Sequence, residues 1–391
     1  MKKKFVFSGL AAAALAISGL ATALPGADAS PRAGVSAATH AVRVCNAHPA
    51  PGFASCLAVA LVGADGKASP PLPTGFTPDD VQAAYKLTGL KSGGRTVAIV
   101  DAHGYSGLEA DLAVYRSTYG LKACTTGNGC LTIMNEHGST THLPADDPGW
   151  DLEQALDVDA VSATCPDCKI IVVQARSASL HALGIAVDTA ASQPGVVAIS
   201  NSYLGHDRNN VSDYNHPGIA ITAATGDGGY NPANLYPASD PHVVAVSGTA
   251  VTKDGSARGY SETAWSGTGS GCSVNKKPSW QTKFAKTTCA TRAVGDVSAA
   301  ASPSLGGLII YYNGSFRQVG GTSEATPIIG AVYALSGNTG GYPARFPYQN
   351  PKHLYDVTSG SNGSCGAPLC TAQKGWDGVT GVGTPHGVAG F

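Results

Sequence analysis

Three short stretches hold side chains whose types and spacing could do chemistry. In QVGGTSEATPIIGA, residues 318–331, Ser323 follows two glycines and leads into an apolar run with helical spacing. That is how a nucleophile is presented at a helix start, and a serine hydroxyl needs a base to take its proton. In DLEQALDV, Glu153 and Asp157 stand four residues apart. On a helix they share a face about one turn apart, where two like charges repel. In a cleft such a pair responds by raising one pKa and sharing a proton, which makes a base with its own orienting partner. In AITAATGDGGY, a strand-like run ends in a Gly-Asp-Gly-Gly turn carrying Asp227. Read alone, Gly-Asp-Gly is more often a simple turn, and an aspartate carboxyl donates a hydrogen bond only when protonated.

A histidine base is the competing reading. Asp101 ends the apolar run TVAIVD, as a triad aspartate would. His137, however, falls in the polar stretch NEHGSTTHLP rather than at a helix start, and His103 lies only two residues from Asp101. The bland reading of the carboxylates is a solvated acidic face, since Asp151 and Asp159 are nearby. Against it, Leu156-Asp157-Val158 places an acid inside an apolar run.

These groups need elements to hold them. The continuous apolar run of residues 96–101 reads as a buried parallel strand. The stretches GLEADLAVYRSTYG, WDLEQALDVDAVSA and LHALGIAVDTAAS have helical periodicity, and KIIVVQA, GVVAISNS, IAITAAT and HVVAVSG read as strands. LIIYYNGSFRQVG reads as a hairpin turning at Asn313-Gly314, with the Ser323 helix after it. Strands alternating with helices imply an α/β fold, a mostly parallel central sheet with helices on both faces.

Bulk composition narrows the partners. The 391 residues are 43% hydrophobic and 13% charged, with net charge −1, so neither a nucleic-acid nor an anionic-membrane partner is expected. Lys2, Lys3 and Lys4 precede an apolar run from Phe5, and Ala27-Asp28-Ala29 gives an A-x-A pattern. Residues 1–29 therefore read as a signal peptide of a secreted protein, since the run falls short of a transmembrane span. Residues 30–75, rich in Ala, Pro, Gly and Ser, read as a short leader or linker without packed structure, and residues 76–391 as one domain. The ten cysteines fall in close pairs, and sequential pairing is expected: Cys45/Cys56, Cys124/Cys130, Cys165/Cys168, Cys272/Cys289 and Cys365/Cys370. CPDC follows a helix and precedes a strand, the wrong setting for a redox motif, and no second such pair would make a zinc site.

GTSEATP resembles the nucleophile motif of the subtilisins and equally that of the sedolisins, the serine-carboxyl peptidases. The joint occurrence of DLEQALDV, TGDGG and GGTSEATP, in that order, resembles the sedolisins. The resemblance runs from about Thr77 to the C-terminus and includes VAIVDAHG, LEADLAVYRSTYGL, SETAWSGTGSGCS and GDVSAAASP. It implies a subtilisin-like fold and an acid-acting peptidase. Ser323 matches the nucleophile, Glu153 the base, Asp157 its partner and Asp227 the oxyanion aspartate. Asp101 falls where some members carry an acid that extends the proton network.

The segments YDVTSGSNG and KGWDGVTGVGTP resemble the family's calcium loop. The resemblance implies one structural calcium ion, with side-chain oxygens from Asp356 and Asp377 and carbonyls from Val357, Gln373 and Gly375. It also implies peptide or protein substrates, and a monomer is expected. The family usually carries a long folded propeptide, but only about 45 residues separate the signal reading from TPDDV. Self-inhibition by such a propeptide is therefore not carried over. Gly228 stands where the family usually has serine, and Gly269-Ser270-Gly271 where three glycines are usual. Two alternatives remain at this level: a subtilisin-type protease with a histidine base, and a catalytically silent homologue that binds peptides.

Overall fold

Residues 39–70, 74–338 and 340–391 are described by a computed structural model of the chain. The signal-peptide reading of residues 1–29 lies outside them.

Each apolar run expected as a parallel strand forms one. The eight-stranded sheet has the order Tyr260–Ala264, Val244–Lys253, Ala220–Ala224, Val196–Asn201, Thr96–Ala102, Lys169–Ala175 and Leu131–Asn135, with Val297–Ala300 also on Val244–Lys253. Only Tyr260–Ala264 joins antiparallel; the remaining pairings in this sheet are parallel. The α/β expectation with a mostly parallel sheet holds.

Successive strand residues point to opposite faces, and both faces are covered. Val97 and Ile99 pack into one core with Leu152, Leu156, Ile328 and Ile329 from the helices Pro148–Thr164 and Thr322–Ser336. Ala98 and Val100 pack into a second core with Leu183, Ala186 and Val187 of the helix Leu180–Ser192. Fully burying one such aliphatic side chain stabilises by about 1.5–3 kcal/mol, so the two cores pin both helices of the first face against the sheet.

The helix Pro148–Thr164 starts where chemistry says it should. The Asp147 side chain accepts from the backbone N–H of Gly149 and Trp150, and Pro148 occupies a position whose N–H would be unpaired anyway. Every residue from Trp150 to Thr164 is buried. The acids on it therefore do not form a solvated face. The hairpin Leu308–Tyr312 and Ser315–Gly320 turns at Asn313-Gly314 as expected and feeds directly into the Ser323 helix.

Residues 39–70 differ from the expectation of an unpacked leader. His40–Arg43, Val59–Val62, Ser315–Gly320 and Leu308–Tyr312 form a four-stranded sheet in that order. Ala54–Cys56 pairs antiparallel with Tyr203–Gly205. The physical reason is the run Ala54–Leu61, in which every residue is buried. The Pro, Gly and Ser around it mask this run in the average composition. The five disulfides join the cysteines in the sequential pairs expected, and no described cysteine is free.

Candidate active site

The Ser323 helix enters through Gly321, whose backbone has φ 103°. A Cβ there would sit 2.2 Å from the Leu57 carbonyl oxygen and 2.8 Å from Asp227 Oδ2, so only glycine fits. Thr322 then donates to Asp227 Oδ1 twice, from its N–H and its hydroxyl, each at 2.8 Å. Four residues after Ser323 the helix contains Pro327, which has no N–H to offer the Ser323 carbonyl. The Ser202 hydroxyl lies 3.3 Å from that carbonyl instead. Gly337, at φ 67°, closes the helix in the left-handed region.

Three carboxyls converge on the buried end of this helix. Glu153, Asp157 and Asp101 are fully buried. Glu153 Oε2 accepts the backbone N–H groups of Leu57 at 2.8 Å and Ala58 at 2.6 Å. Asp157 Oδ1 accepts the Ser202 hydroxyl at 2.8 Å. Glu153 Oε1, Asp157 Oδ2 and both Asp101 oxygens have no hydrogen-bond partner.

Burial pushes all three pKa values up. For Glu153 the Asp101 charge adds to burial, while the Ser323 hydroxyl and the Ala58 and Leu57 N–H groups oppose it. For Asp157 the charges of Asp101 and Glu153 add to burial, and Ser202 opposes. Burial pushes Asp101 up to about 8. Three buried carboxyls that repel one another resist ionising together, which favours protons held among them. The Ser323 hydroxyl is turned to the Ser202 carbonyl at 3.4 Å and is close enough to Glu153 to favour its ionised form.

Asp227 follows the strand Ala220–Ala224 and accepts from Thr322 at the start of the Ser323 helix. Its Oδ1 is held by Thr322, while its Oδ2 is buried and unpartnered. Burial pushes its pKa up to about 6, against the Thr322 N–H, the Arg43 charge and the Thr322 hydroxyl. A protonated Oδ2, beside Gly321, would be a hydrogen-bond donor.

The histidines weighed in sequence are elsewhere. His137 is 66% exposed and pairs with Glu136. His103 has φ 63° on the loop after its strand, and its carbonyl accepts from Gln154. Neither reaches Ser323, so the histidine reading has no base on this geometry.

The five residues matched to calcium come together at one corner. Asp377 accepts the Gln373 N–H at 2.9 Å, and Asp356 accepts the Gly375 N–H at 2.9 Å. The Thr380 hydroxyl bonds Asp377 Oδ1 at 2.9 Å and lies 3.5 Å from the Val357 carbonyl. Two carboxylates with the Val357 carbonyl near them are oxygen donors of the kind a divalent cation takes. No described group of three or more His, Cys, Asp or Glu side chains could hold a metal, so carbonyls would have to complete any cage here.

Four contributors escaped the sequence reading. Ser202 was visible only as the end of a predicted strand. Arg43, Leu57 and Ala58 lay in the stretch read as a leader. The one available signal was the apolar run SCLAVAL, long enough for a buried strand.

Comparisons with known proteins bear on this geometry. No family model matches the chain. It is 29% identical over 356 residues to kumamolisin from Bacillus sp. (strain MN-32), covering 81% of this chain and 63% of that protein. It is 36% identical over 168 residues to sedolisin from Pseudomonas sp. (strain 101), covering 38% of this chain and 28% of that protein. The chain thus spans less than two thirds of the length of these relatives. Among solved structures it is similar to Pseudomonas sedolisin, a serine-carboxyl proteinase complexed with two molecules of pseudo-iodotyrostatin. There the TM-score is 0.67 at 26% identity, covering 82% of this chain and 96% of that one. With the sheet order, the buried carboxyls around Ser323 and these likenesses together, the chain is similar to the sedolisin family of serine-carboxyl peptidases.

Proposed function

We propose that this protein is a secreted, acid-acting serine-carboxyl endopeptidase that hydrolyses peptide bonds in peptide or protein substrates. The observation that carries the reading is the placement of Ser323 between two buried carboxyls of different character. Glu153 on one side can take a proton, and Asp227 on the other can donate one.

Ser323 Oγ attacks the scissile carbonyl carbon and its proton passes to Glu153. Asp157 and Asp101, in the same dry pocket, hold further protons and so tune how readily Glu153 accepts one. The carbonyl oxygen becomes an oxyanion, which the protonated Asp227 meets with a hydrogen bond. Collapse breaks the C–N bond, and Glu153 delivers its proton to the leaving amine. Water then attacks the acyl-enzyme by the same route, releasing the carboxylic acid and restoring Ser323.

Calcium, when bound at Asp356, Val357, Gln373, Gly375 and Asp377, would tie two C-terminal loops together, a structural task remote from the proton transfers. Secretion fits the five disulfides, and no helix among the described residues is long and apolar enough to cross a membrane. The test is cleavage of a denatured protein by the purified exported protein from about pH 3 to 9. A maximum in acid, lost in Ser323→Ala and in Glu153→Ala, is expected. A maximum at or above neutrality overturns the carboxyl mechanism. Activity surviving in Ser323→Ala overturns the assignment of the nucleophile, and a folded protein silent at every pH points to a binding homologue.

A further inference from the structure

Ser270 stands where the resemblance to the sedolisins expects the middle of three glycines. Its hydroxyl donates to the Leu369 carbonyl at 2.8 Å and accepts an N–H of the Asn362 side chain at 2.8 Å. A glycine offers neither bond. Asn362 is buried and bonds none of Ser323, Glu153, Asp157 and Asp227.

Asn362 belongs to a C-terminal loop that is cross-bonded along its length. Ser361 and Thr371 pair antiparallel, the Asn362 N–H donates to the Cys370 carbonyl at 3.0 Å, and the Ala372 N–H donates to the Gly360 carbonyl at 3.0 Å. Cys365–Cys370 closes the tip. At the base, the Ala264 N–H donates to the Ser359 carbonyl at 2.8 Å, which fixes the loop to the edge strand of the central sheet.

From this rigid base Asn362 holds two stretches at once. Its Nδ2 donates to the Thr268 carbonyl at 2.7 Å as well as to Ser270. A carbonyl only accepts, so Thr268 settles which end of the amide faces it. The Asn362 backbone carbonyl accepts the Tyr230 N–H at 3.0 Å. A Cβ on Gly229 would sit 2.6 Å from that same carbonyl oxygen, so only glycine lets the two backbones come this close.

The two stretches are the turn that carries Asp227 and the segment that backs it. The Gly269 N–H donates to the Gly226 carbonyl at 2.7 Å, and the Gly229 N–H donates to the Gly267 carbonyl at 2.8 Å. The residues on both sides of Asp227 are thus set by residues 267–269, and Asn362 ties that segment to Tyr230. The Asp227 side chain is held at Oδ1 by Thr322, while its Oδ2 has no partner. Where Oδ2 stands therefore depends on the backbone of the turn.

We propose that Asn362, assisted by Ser270, is a positioning residue for Asp227: it clamps the turn so that the Asp227 carboxyl is in place before the substrate carbonyl takes on charge. The proposal rests on the peptidase reading above and on the role given there to Asp227. A donor fixed in advance need not reorient as the oxyanion forms, and that is the source of its effect. A misplacement of about 1 Å at a reacting group costs on the order of 100-fold in rate.

The experiment uses the full exported chain as wild type, Asn362→Ala, Ser270→Gly and Asp227→Ala, and the two double variants that combine the first two changes with Asp227→Ala. Circular dichroism checks folding, and kcat and KM are measured at the acid optimum on a dye-labelled denatured protein. Asn362→Ala should lower kcat by about 10-fold or more and change KM little. Ser270→Gly should lower kcat less, because the bond to Thr268 remains. With Asp227 already replaced, either change should cost less than about twofold, since the group that they position is gone. Equal losses with and without Asp227 mean a purely structural role and overturn the inference. An unchanged kcat in folded Asn362→Ala and Ser270→Gly overturns it too and leaves the peptidase reading standing. Should Asn362→Ala not fold, Ser270→Gly decides by the same comparison, since it restores the glycine that the resemblance expects. Asp227→Ala as active as the wild type removes the role of Asp227 and this inference with it. A folded wild type silent at every pH removes the peptidase reading itself.

Discussion

The Ser202 hydroxyl lies 2.8 Å from Asp157 Oδ1 and 3.3 Å from the carbonyl of Ser323, so one side chain joins the carboxyl cluster to the helix that carries Ser323. A hydroxyl has one proton and cannot serve both fully. If Asp157 is protonated it can donate to Ser202, leaving the Ser202 proton for the Ser323 carbonyl that Pro327 leaves unpaired. Ser202→Ala removes this link and strands a buried carbonyl. The expected loss is about 1–3 kcal/mol of stability, read by denaturant unfolding. A lowered rate at unchanged substrate affinity should accompany it. An unchanged midpoint and rate would mean that Ser202 is a bystander.

Asp227 should set an alkaline limit on the proposed reaction. Burial holds its pKa up to about 6, against the Thr322 N–H, the Arg43 charge and the Thr322 hydroxyl. The rate should therefore fall as pH rises past this range and Asp227 loses the proton it must donate. Asp227→Ala should cost about 100- to 1,000-fold in kcat, the usual worth of one oxyanion donor. In Asp227→Asn the amide donates at every pH, so the fall should move toward neutrality. A pH–rate profile whose upper limb is the same in Asp227→Asn would remove Asp227 from this role.

Glu153 and Asp157 should be unequal. Glu153→Gln cannot accept the Ser323 proton, and a loss of about 100- to 10,000-fold in kcat is expected. Asp157→Asn keeps a polar side chain that can still meet Ser202 and should lose less. Its main effect should be a shifted acid limb, because one carboxyl of the cluster no longer competes for protons. Single-turnover measurements across pH separate the two, and equal losses with identical profiles would contradict the division of roles.

Stability should be greatest in acid. The folded-state pKa values of Asp101, at about 8, and Asp227, at about 6, lie above the value of about 4 for an unfolded carboxyl, and those of Glu153, Asp157, Asp159 and Glu324 are also raised by burial. Between the unfolded and folded values the native state binds more protons than the unfolded state, so stability falls as pH rises. Their contribution is fully present below about pH 4 and is lost progressively as pH rises through about 6 and about 8. The melting temperature should thus be several degrees higher in mild acid than at pH 8, and Asp101→Asn should flatten part of the slope. Calorimetry showing a rise toward neutrality would contradict this.

The loop pair around Asp356 and Asp377 should make stability depend on calcium. At free calcium about 100 times its dissociation constant, the gain would be near 2.7 kcal/mol. Chelation should lower the melting temperature of the wild type and leave Asp377→Ala unmoved. A wild type indifferent to chelation, with no calcium by elemental analysis, would remove the ion from the account.

Much of the site was legible because it rests on local periodicity. A spacing of four on a helix puts Glu153 and Asp157 on one face wherever that helix lies. Unbroken apolar runs gave the buried strands at 96–102, 169–175 and 196–201. Close cysteine spacing gave the disulfides, since short loops close first. The environment of those groups was not legible, because it is set by segments distant in the chain. Whether Glu153 and Asp157 form a solvated face or a buried proton store depends on distant segments, with Ser202 45 residues from Asp157 and Leu57 96 residues from Glu153. Asp101 joins them only because the parallel sheet brings its strand end under their helix. Leu57 and Ala58 reach Glu153 across a separation of 96 and 95 residues, through backbone N–H groups that every residue carries. Residue types and periodicity, which are local, therefore determined which groups could react. Burial and backbone hydrogen bonding, which only the folded chain creates, decided their protonation.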